Sequence, residues 1–319
     1  MLMDRDIKLI TFNVDGLPEE LDLSTLPWIL KPIAWIYKLF KGTTIIKVND
    51  NSDSAVNMRR ISEYLKVSDA DIIGVQEDFN YHDDLMSSLR EKYNSSKFLG
   101  KIELSNLFSK IECWTHFPLP RFKCDGLNLI TKKGINILEE NIIRWKKSYG
   151  YFSHANDLLT HKGFRQYSLS LGQGATIDVY LVHMDADFYN EDTCPNINGD
   201  IKAREYQIKQ VVSHILDRYN SNFKRPILIM GDTNSTNKYI WDTINIETYL
   251  LKPINDTDTL YIDEAIPNNG EDVDRVFIIN NDKARYKIDA SECYFDTSFG
   301  RMSDHKPLVC VLKLKENKL

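Results

Sequence analysis

The sequence predicts an α/β fold in a single domain, and three observations carry that expectation. Short β-branched apolar runs recur along all 319 residues, and two amphipathic helical patterns lie between them. Strand–helix alternation over the full length favours helices packed on sheets over separate all-α and all-β units. No internal repeat or low-complexity linker divides the chain, so residues 1–319 read as one domain.

The elements follow in chain order. Residues 9–17 (LITFNVDGL) open with a strand that begins near Lys8. Residues 55–67 (AVNMRRISEYLKV) place Val56, Ile61 and Leu65 at near-helical spacing with charges opposite, which predicts a helix. Residues 71–79 (DIIGVQEDF) and 179–187 (VYLVHMDAD) begin with further strands. Residues 201–217 set Ile208, Val211, Val212 and Ile215 on one helical stripe. Residues 226–235 (PILIMGDTNS) hold another strand, and residues 302–312 (MSDHKPLVCVL) end in the last. The first four runs are apolar enough to be buried on both faces. Gly231 is expected to permit a tight exit from its strand.

Two segments look inserted. Residues 23–41 (LSTLPWILKPIAWIYKLFK) are aromatic and apolar, and Pro27 and Pro32 exclude one uninterrupted helix. Trp28, Trp35, Tyr37 and Phe40 beside Lys38 and Lys41 suit either an interfacial membrane anchor or a flap over the core. Residues 111–122 (IECWTHFPLPRF) form a second aromatic, proline-broken loop that suits a substrate-groove lining or a cap on the sheet, the cap being favoured.

Composition sets further bounds. The apolar fraction of 42% and charged fraction of 27% are those of an ordinary globular protein. A net charge of −6 and a pI near 5.7 give no electrostatic reason for nucleic acid as the obligate partner. The five cysteines (Cys113, Cys124, Cys194, Cys293, Cys310) contain no CxxC pair, which argues against a zinc site or redox motif and for buried reduced thiols. Cys310, inside a strand, is expected in the core. The early first strand leaves no room for a leader before it, so a cytoplasmic protein is expected, with secretion the alternative if a leader has been removed. No stretch approaches the roughly 20 apolar residues that span a bilayer.

The chemistry sits where strands meet loops. Glu77 follows DIIGVQ, and a carboxylate at the end of a buried strand is costly unless paired or bound to metal. Asn13 ends the first strand, where its amide oxygen can join a metal shell or its amide can orient Glu77. Asp232 and Asn234 in GDTNS can face one side of an extended exit, Asp232 towards a water and Asn234 towards a phosphate oxygen. His305 is a candidate base, with Asp274 of VDRVFII to fix its tautomer. His183 is a second imidazole, suited to steadying a developing oxyanion or protonating a leaving group. Hard oxygen donors beside two imidazoles point to cation-assisted hydrolysis of a phosphoester.

Asn13, Gln76–Glu77, His183, Gly231-Asp232-x-Asn234 and Ser303-Asp304-His305, in this order, resemble the endonuclease/exonuclease/phosphatase superfamily of deoxyribonuclease-like metallohydrolases. The resemblance runs from residue 8 to residue 313. It implies a four-layer α/β/β/α sandwich of two mixed β-sheets with outer helices. It implies Mg²⁺ as the usual metal, with Mn²⁺ or Ca²⁺ as alternatives. Glu77, Asn13 and Asp304 become metal-ligand candidates, His305 the base backed by Asp274, and Asp232 with Asn234 the phosphate-facing pair. Arg204-x-x-Gln207 matches the superfamily's helix motif.

Details between the motifs bear on the substrate. Asp157-x4-Lys162-Gly163 resembles an element of neutral sphingomyelinases whose lysine acts near the phosphate, and His183 with Ala186 resembles their histidine motif. The segment 23–41 suits work at a bilayer. TFNVDGL and GDTN instead look like the tyrosyl-DNA phosphodiesterase branch, and VQEDFNYH with GDTNS like a group described only as superfamily members. The extended aromatic hairpin of secreted bacterial sphingomyelinases is not evident near the C-terminus. The expectation is a monomeric Mg²⁺-dependent phosphodiesterase of sphingomyelinase type, releasing a phospho-headgroup from ceramide or diacylglycerol. The alternatives are a nuclease or DNA-end hydrolase and a phosphoinositide phosphatase.

Overall fold

The computed structural model describes residues 5–17, 53–102, 124–148, 160–186, 198–220, 225–235, 260–264, 273–281 and 283–317. The segments 23–41 and 111–122, Cys113, Cys194 and Asp157 lie outside the described residues. Twelve strands and three helices are described: β1 (Arg5–Asn13), α1 (Asp53–Ser68), β2 (Ile72–Gln76), α2 (His82–Met86), β3 (Tyr93–Ser95), β4 (Asn128–Lys132), β5 (Asn136–Arg144), β6 (Gly163–Gly172), β7 (Ala175–His183), α3 (Asn198–Asn220), β8 (Ile227–Asp232), β9 (Leu260–Glu264), β10 (Asp274–Asn281), β11 (Tyr286–Phe295) and β12 (Leu308–Glu316).

The strands form two six-stranded sheets, ordered β11-β12-β1-β2-β4-β3 and β5-β6-β7-β8-β10-β9. Each sheet is mixed. Its one parallel pair is β1 with β2 in the first and β7 with β8 in the second.

The two-residue period of the strands builds the layers. Ile7 and Leu9 of β1, Ile72 of β2, Val179 and Leu181 of β7, Leu228 and Met230 of β8, and Val276 and Ile278 of β10 share one buried cluster between the sheets. Alternate residues face outwards. Ile10, Phe12, Ile73 and Val75 pack with Ala55, Met58, Ile61 and Leu65 of α1. Tyr180, Val182, Ile227, Ile229, Phe277 and Ile279 pack with Ile208, Val211, Val212 and Ile215 of α3. Helix, sheet, sheet, helix is the four-layer sandwich expected. No described helix is long and apolar enough to cross a membrane.

Two expectations need correction, and the reading of Gly231 gains a second role. Val56 is 43% exposed, and α1 buries Ala55, Met58, Ile61, Ser62, Tyr64 and Leu65 instead. Val56 follows an alanine that takes the inward position, while Ile61 and Leu65 are buried as expected. Gly231 lies inside β8 at φ +136°, and a Cβ there would stand 2.1 Å from the Val182 carbonyl oxygen. The glycine therefore serves close approach of β7 as well as the turn. Cys293 and Cys310 are not reduced thiols but a disulfide joining directly opposed residues of β11 and β12. Only the strand register, which the sequence does not display, brings these two together. Cys124 is buried and free.

Leu181 is fully buried between the sheets. Leu181→Ala is expected to cost about 2–5 kcal/mol in urea unfolding, from lost transfer energy plus the cavity left behind. Val56→Ala, on the solvent side of α1, should stay within about 0.5 kcal/mol of wild type in the same measurement.

Candidate active site

The inward faces of the central strands end in polar residues at one edge of the sandwich. Two steps beyond Leu9 come Thr11 and then Asn13, and on β2 Ile72 leads to Gly74 and Gln76. On β7 Leu181 leads to His183, on β8 Met230 leads to Asp232, and β10 starts at Asp274. Parallel pairing sets Asn13 beside Gln76 and His183 beside Asp232, and antiparallel pairing sets Asp232 beside Asp274. The same alternation that fills the core thus gathers the polar side chains. Gln76 Nε2 donates to Thr11 Oγ1 at 3.1 Å and closes the floor.

Glu77 leaves β2 in the left-handed region at φ +59°. The Gly16 amide donates to its carbonyl at 3.1 Å, and a Cβ on residue 16 would meet that oxygen at 2.3 Å, so only glycine allows this approach. The Asn13 amide nitrogen lies 3.1 Å from Glu77 Oε1 and 3.1 Å from Asp232 Oδ2. Its oxygen accepts from the Asp15 amide at 3.1 Å. As placed, Asn13 orients two carboxylates through its donor end.

His183 Nε2 lies 3.1 Å from Lys162 Nζ, 3.8 Å from Glu77 Oε1 and 3.7 Å from Asp232 Oδ2. Burial first, then the charges of Lys162 and His305, hold it well below its ordinary pKa, so it is neutral near pH 7. A neutral imidazole beside an ammonium accepts at Nε2 and carries its proton on Nδ1.

His305 Nδ1 lies 2.7 Å from Asp274 Oδ2, and its Nε2 lies 3.7 Å from Asp232 Oδ2. Burial pulls its pKa down, but the hydrogen bond and charge of Asp274, with Asp232 and Asp304, outweigh that and push it up to about 10. Ser303 Oγ donates to the Asn13 carbonyl at 2.8 Å and so fastens the His305 loop to β1.

Asn234, at φ +48°, accepts no extended exit from β8. Its amide hydrogen bonds the Met184 carbonyl at 2.9 Å, while its backbone N–H donates to Asp232 Oδ1 at 2.8 Å. Asp304 is exposed, with Oδ1 3.1 Å from Ser303 Oγ. Asn13, Glu77, Lys162, His183, Asp232, Asp274 and His305 are thereby linked in one cluster, with Asn234 on its backbone and Asp304 at its rim.

Two carboxylates and an imidazole, Asp232, Asp274 and His305, have ligand atoms within 4.8 Å of one another. Asp274 Oδ2 is committed to the His305 hydrogen bond, so Glu77 and Asp232 are the better pair for a divalent cation. The donor chemistry fits: both offer hard oxygens. Burial, opposed by Lys162 and Asn13 but helped by Asp232 and Asp15, pushes the Glu77 carboxyl up to about 7. A cation would relieve that penalty.

Other buried polar residues brace the site. Arg204 donates to the Asp185 carbonyl at 3.0 Å and Gln207 accepts from the Asp185 amide at 3.0 Å, so α3 clamps the loop after β7. The buried Arg165 of β6 grips Asp125 with two hydrogen bonds of 2.7 and 2.6 Å. The next residue, Gly126, accepts from the Asp78 amide beside Glu77 at 2.9 Å. The sequence reading missed this brace, whose only sign is a charge inside the otherwise weakly polar strand FRQYSLSL.

No protein-family model matches the chain, and no curated protein matches it. Solved structures do. Humanised D. rerio TDP2 superposes with TM-score 0.56 at 12% identity, covering 96% of this chain and 98% of that one. The chain has the deoxyribonuclease-like fold. Sphingomyelinase C from Streptomyces griseocarneus gives TM-score 0.56 at 15% identity, covering 96% and 99%. Staphylococcus aureus beta toxin with bound magnesium ions gives 0.53 at 15% identity, covering 98% and 100%. The two-sheet sandwich implied by the sequence resemblance is thus the fold observed.

The Glu77 pKa sets a pH dependence for the metal-free protein. A carboxyl raised from 4.5 to about 7 on folding contributes stability below pH 4.5 that is lost as pH rises through about 7. In EDTA, Glu77→Gln should remove a loss on the order of 2 kcal/mol between pH 5 and pH 7, at 1.36 kcal/mol per unit. Urea unfolding of both proteins at the two pH values measures it.

Proposed function

We propose that the chain is a Mg²⁺-dependent phosphodiesterase of sphingomyelinase type, hydrolysing a phospholipid headgroup. The observation that carries the hydrolytic reading is the convergence of Glu77 and Asp232, bridged by Asn13, on the His305–Asp274 pair and the Lys162–His183 pair. Hard oxygen donors suit magnesium, and the beta toxin of the same fold holds that ion.

Glu77 and Asp232 would hold the cation, which would supply charge neutralisation at a phosphate oxygen. The remaining steps belong to side chains. Asp274 fixes the His305 tautomer so that Nε2 faces the site, where the unprotonated ring takes a proton from the attacking water. Asp232, 3.7 Å from that nitrogen, orients the water. Lys162 and His183 steady the charge that develops on phosphorus oxygens, and Asn234 assists at a non-bridging oxygen. For sphingomyelin the products are ceramide and phosphocholine.

The lipid reading is supported by Lys162 beside His183, where the sphingomyelinase-like Lys-Gly element ends. The second reading, a DNA-end phosphodiesterase, is favoured by the likeness to TDP2 and by the TFNVDGL and GDTN strings. Residues 23–41 are proposed as a peripheral membrane contact on their sequence alone. Of the two compartments left open by the sequence, the Cys293–Cys310 disulfide favours the oxidising one.

A substrate panel tests the reading: sphingomyelin vesicles, single-stranded DNA with a 5′-tyrosyl end, and soluble phosphoinositides, each with Mg²⁺. Vesicle turnover is expected, reduced about 10²–10⁴-fold in His305→Ala. Turnover of DNA alone overturns the lipid assignment, and equal rates in the two proteins overturn His305 as the base.

A further inference from the structure

We propose that Trp145 is a positioning residue that sets the Lys162–His183 pair, an inference that rests on the phosphodiesterase reading above. Trp145 follows β5 and makes two hydrogen bonds, one from its backbone that lengthens the β5–β6 ladder by one residue and one from its indole to the end of β7. Pairing of β5 with β6 ends at Arg144 and Gly163, and the Trp145 amide then donates to the Lys162 carbonyl at 3.2 Å. Pairing of β6 with β7 ends at Phe164 and Val182. The His183 carbonyl lies one residue past that end, and the Trp145 indole Nε1–H donates to it at 2.9 Å.

One residue therefore holds the main chain of both members of the pair. Their side chains meet at Lys162 Nζ and His183 Nε2, 3.1 Å apart. The indole itself is only 7% exposed, wedged against Phe164 at 5.3 Å between ring centroids and among Tyr180, Val182 and Met184. It is a rigid strut anchored in the outer core.

The far side of the imidazole explains why such a strut is needed. His183 Nδ1 is buried and has no hydrogen-bond partner among the described residues. Metal-site and catalytic histidines are commonly aimed by a group on the second ring nitrogen, as His305 is by Asp274. Among the described residues none gives His183 that aid, and its direction there depends on where its backbone is held and on Lys162. A buried carbonyl left without its donor is costly and drives the main chain to move. Displacements near 1 Å in such sites reduce rates about 10²-fold.

Trp145→Phe keeps the packing and removes the indole donor. With Mg²⁺ and the phosphodiester turned over in the panel, kcat should fall about 10–100-fold with KM within about twofold. The same substitution in a Lys162→Ala background should have little further effect, because both act through one pair. Phe164→Leu, which disturbs the same packing without touching the hydrogen bonds, should lower stability and leave kcat unchanged. Imidazole ¹⁵N resonances, with His183 assigned by His183→Gln, separate this inference from the functional reading because they need no turnover. Trp145→Phe should shift the His183 signals, and Phe164→Leu should not. Unmoved His183 signals in Trp145→Phe, or a kcat loss equal in Phe164→Leu, overturn the proposal. Shifted signals without turnover of any substrate leave Trp145 as the strut and remove the phosphodiesterase reading.

Discussion

The Asn13 side chain joins the two sheets where their chemistry lies. Its amide nitrogen is shared at 3.1 Å between Glu77, carried by the first sheet, and Asp232, carried by the second. Two carboxylates this close, Asp232 buried and Glu77 half-buried, repel each other and lose hydration. A single neutral donor does not balance both charges. The rest of the site answers the remaining imbalance: Lys162 approaches behind His183, the Glu77 carboxyl is raised to about 7, and His305 is favoured as the imidazolium. An anionic hollow with a cation on its flank is suited to a divalent ion and a phosphate together. The same surroundings that favour protonated His305 would oppose its use as a base until a cation offsets their charge.

Much of this was legible in the sequence, for physical reasons. Buried strands such as ILIM and VYLV need apolar residues on both faces, so a polar residue at their ends stands out. Asp232 and His183 were visible in that way, and α3 showed its stripe of Ile208, Val211, Val212 and Ile215. What escaped depends on register and on partners distant in the chain. The Cys293–Cys310 bond is a matter of which residues oppose each other across β11 and β12. Asp125 and Arg165 are separated by 40 residues, and neither looks unusual alone. The role of Gly231 needed the position of the Val182 carbonyl, which no pattern within its own strand reports.

The fold is shared with D. rerio TDP2 complexed with a single-strand DNA product and with a sphingomyelinase C, at 13% and 15% identity. The scaffold therefore does not select a substrate. Under the proposed function, selection would fall to the loops that rise from the strand ends, while the strands themselves keep the polar groups of the site in place. Trp145 illustrates the division, since it belongs to the outer core by packing and to the site by its hydrogen bonds.

The disulfide has a consequence beyond linking two strands. Cys293 and Cys310 lie just below the connected end of the β11–β12 hairpin, and His305 belongs to the connection above them. The connection is thus a loop closed at its base by a covalent bond. The connection can differ in length or composition while β11 stays in register with β12, and β12 with β1. If a protease cut the exposed turn near Phe299, the C-terminal strand and its histidine would remain tethered to the rest of the molecule. The hairpin gives the histidine an anchorage that does not depend on the integrity of the turn itself.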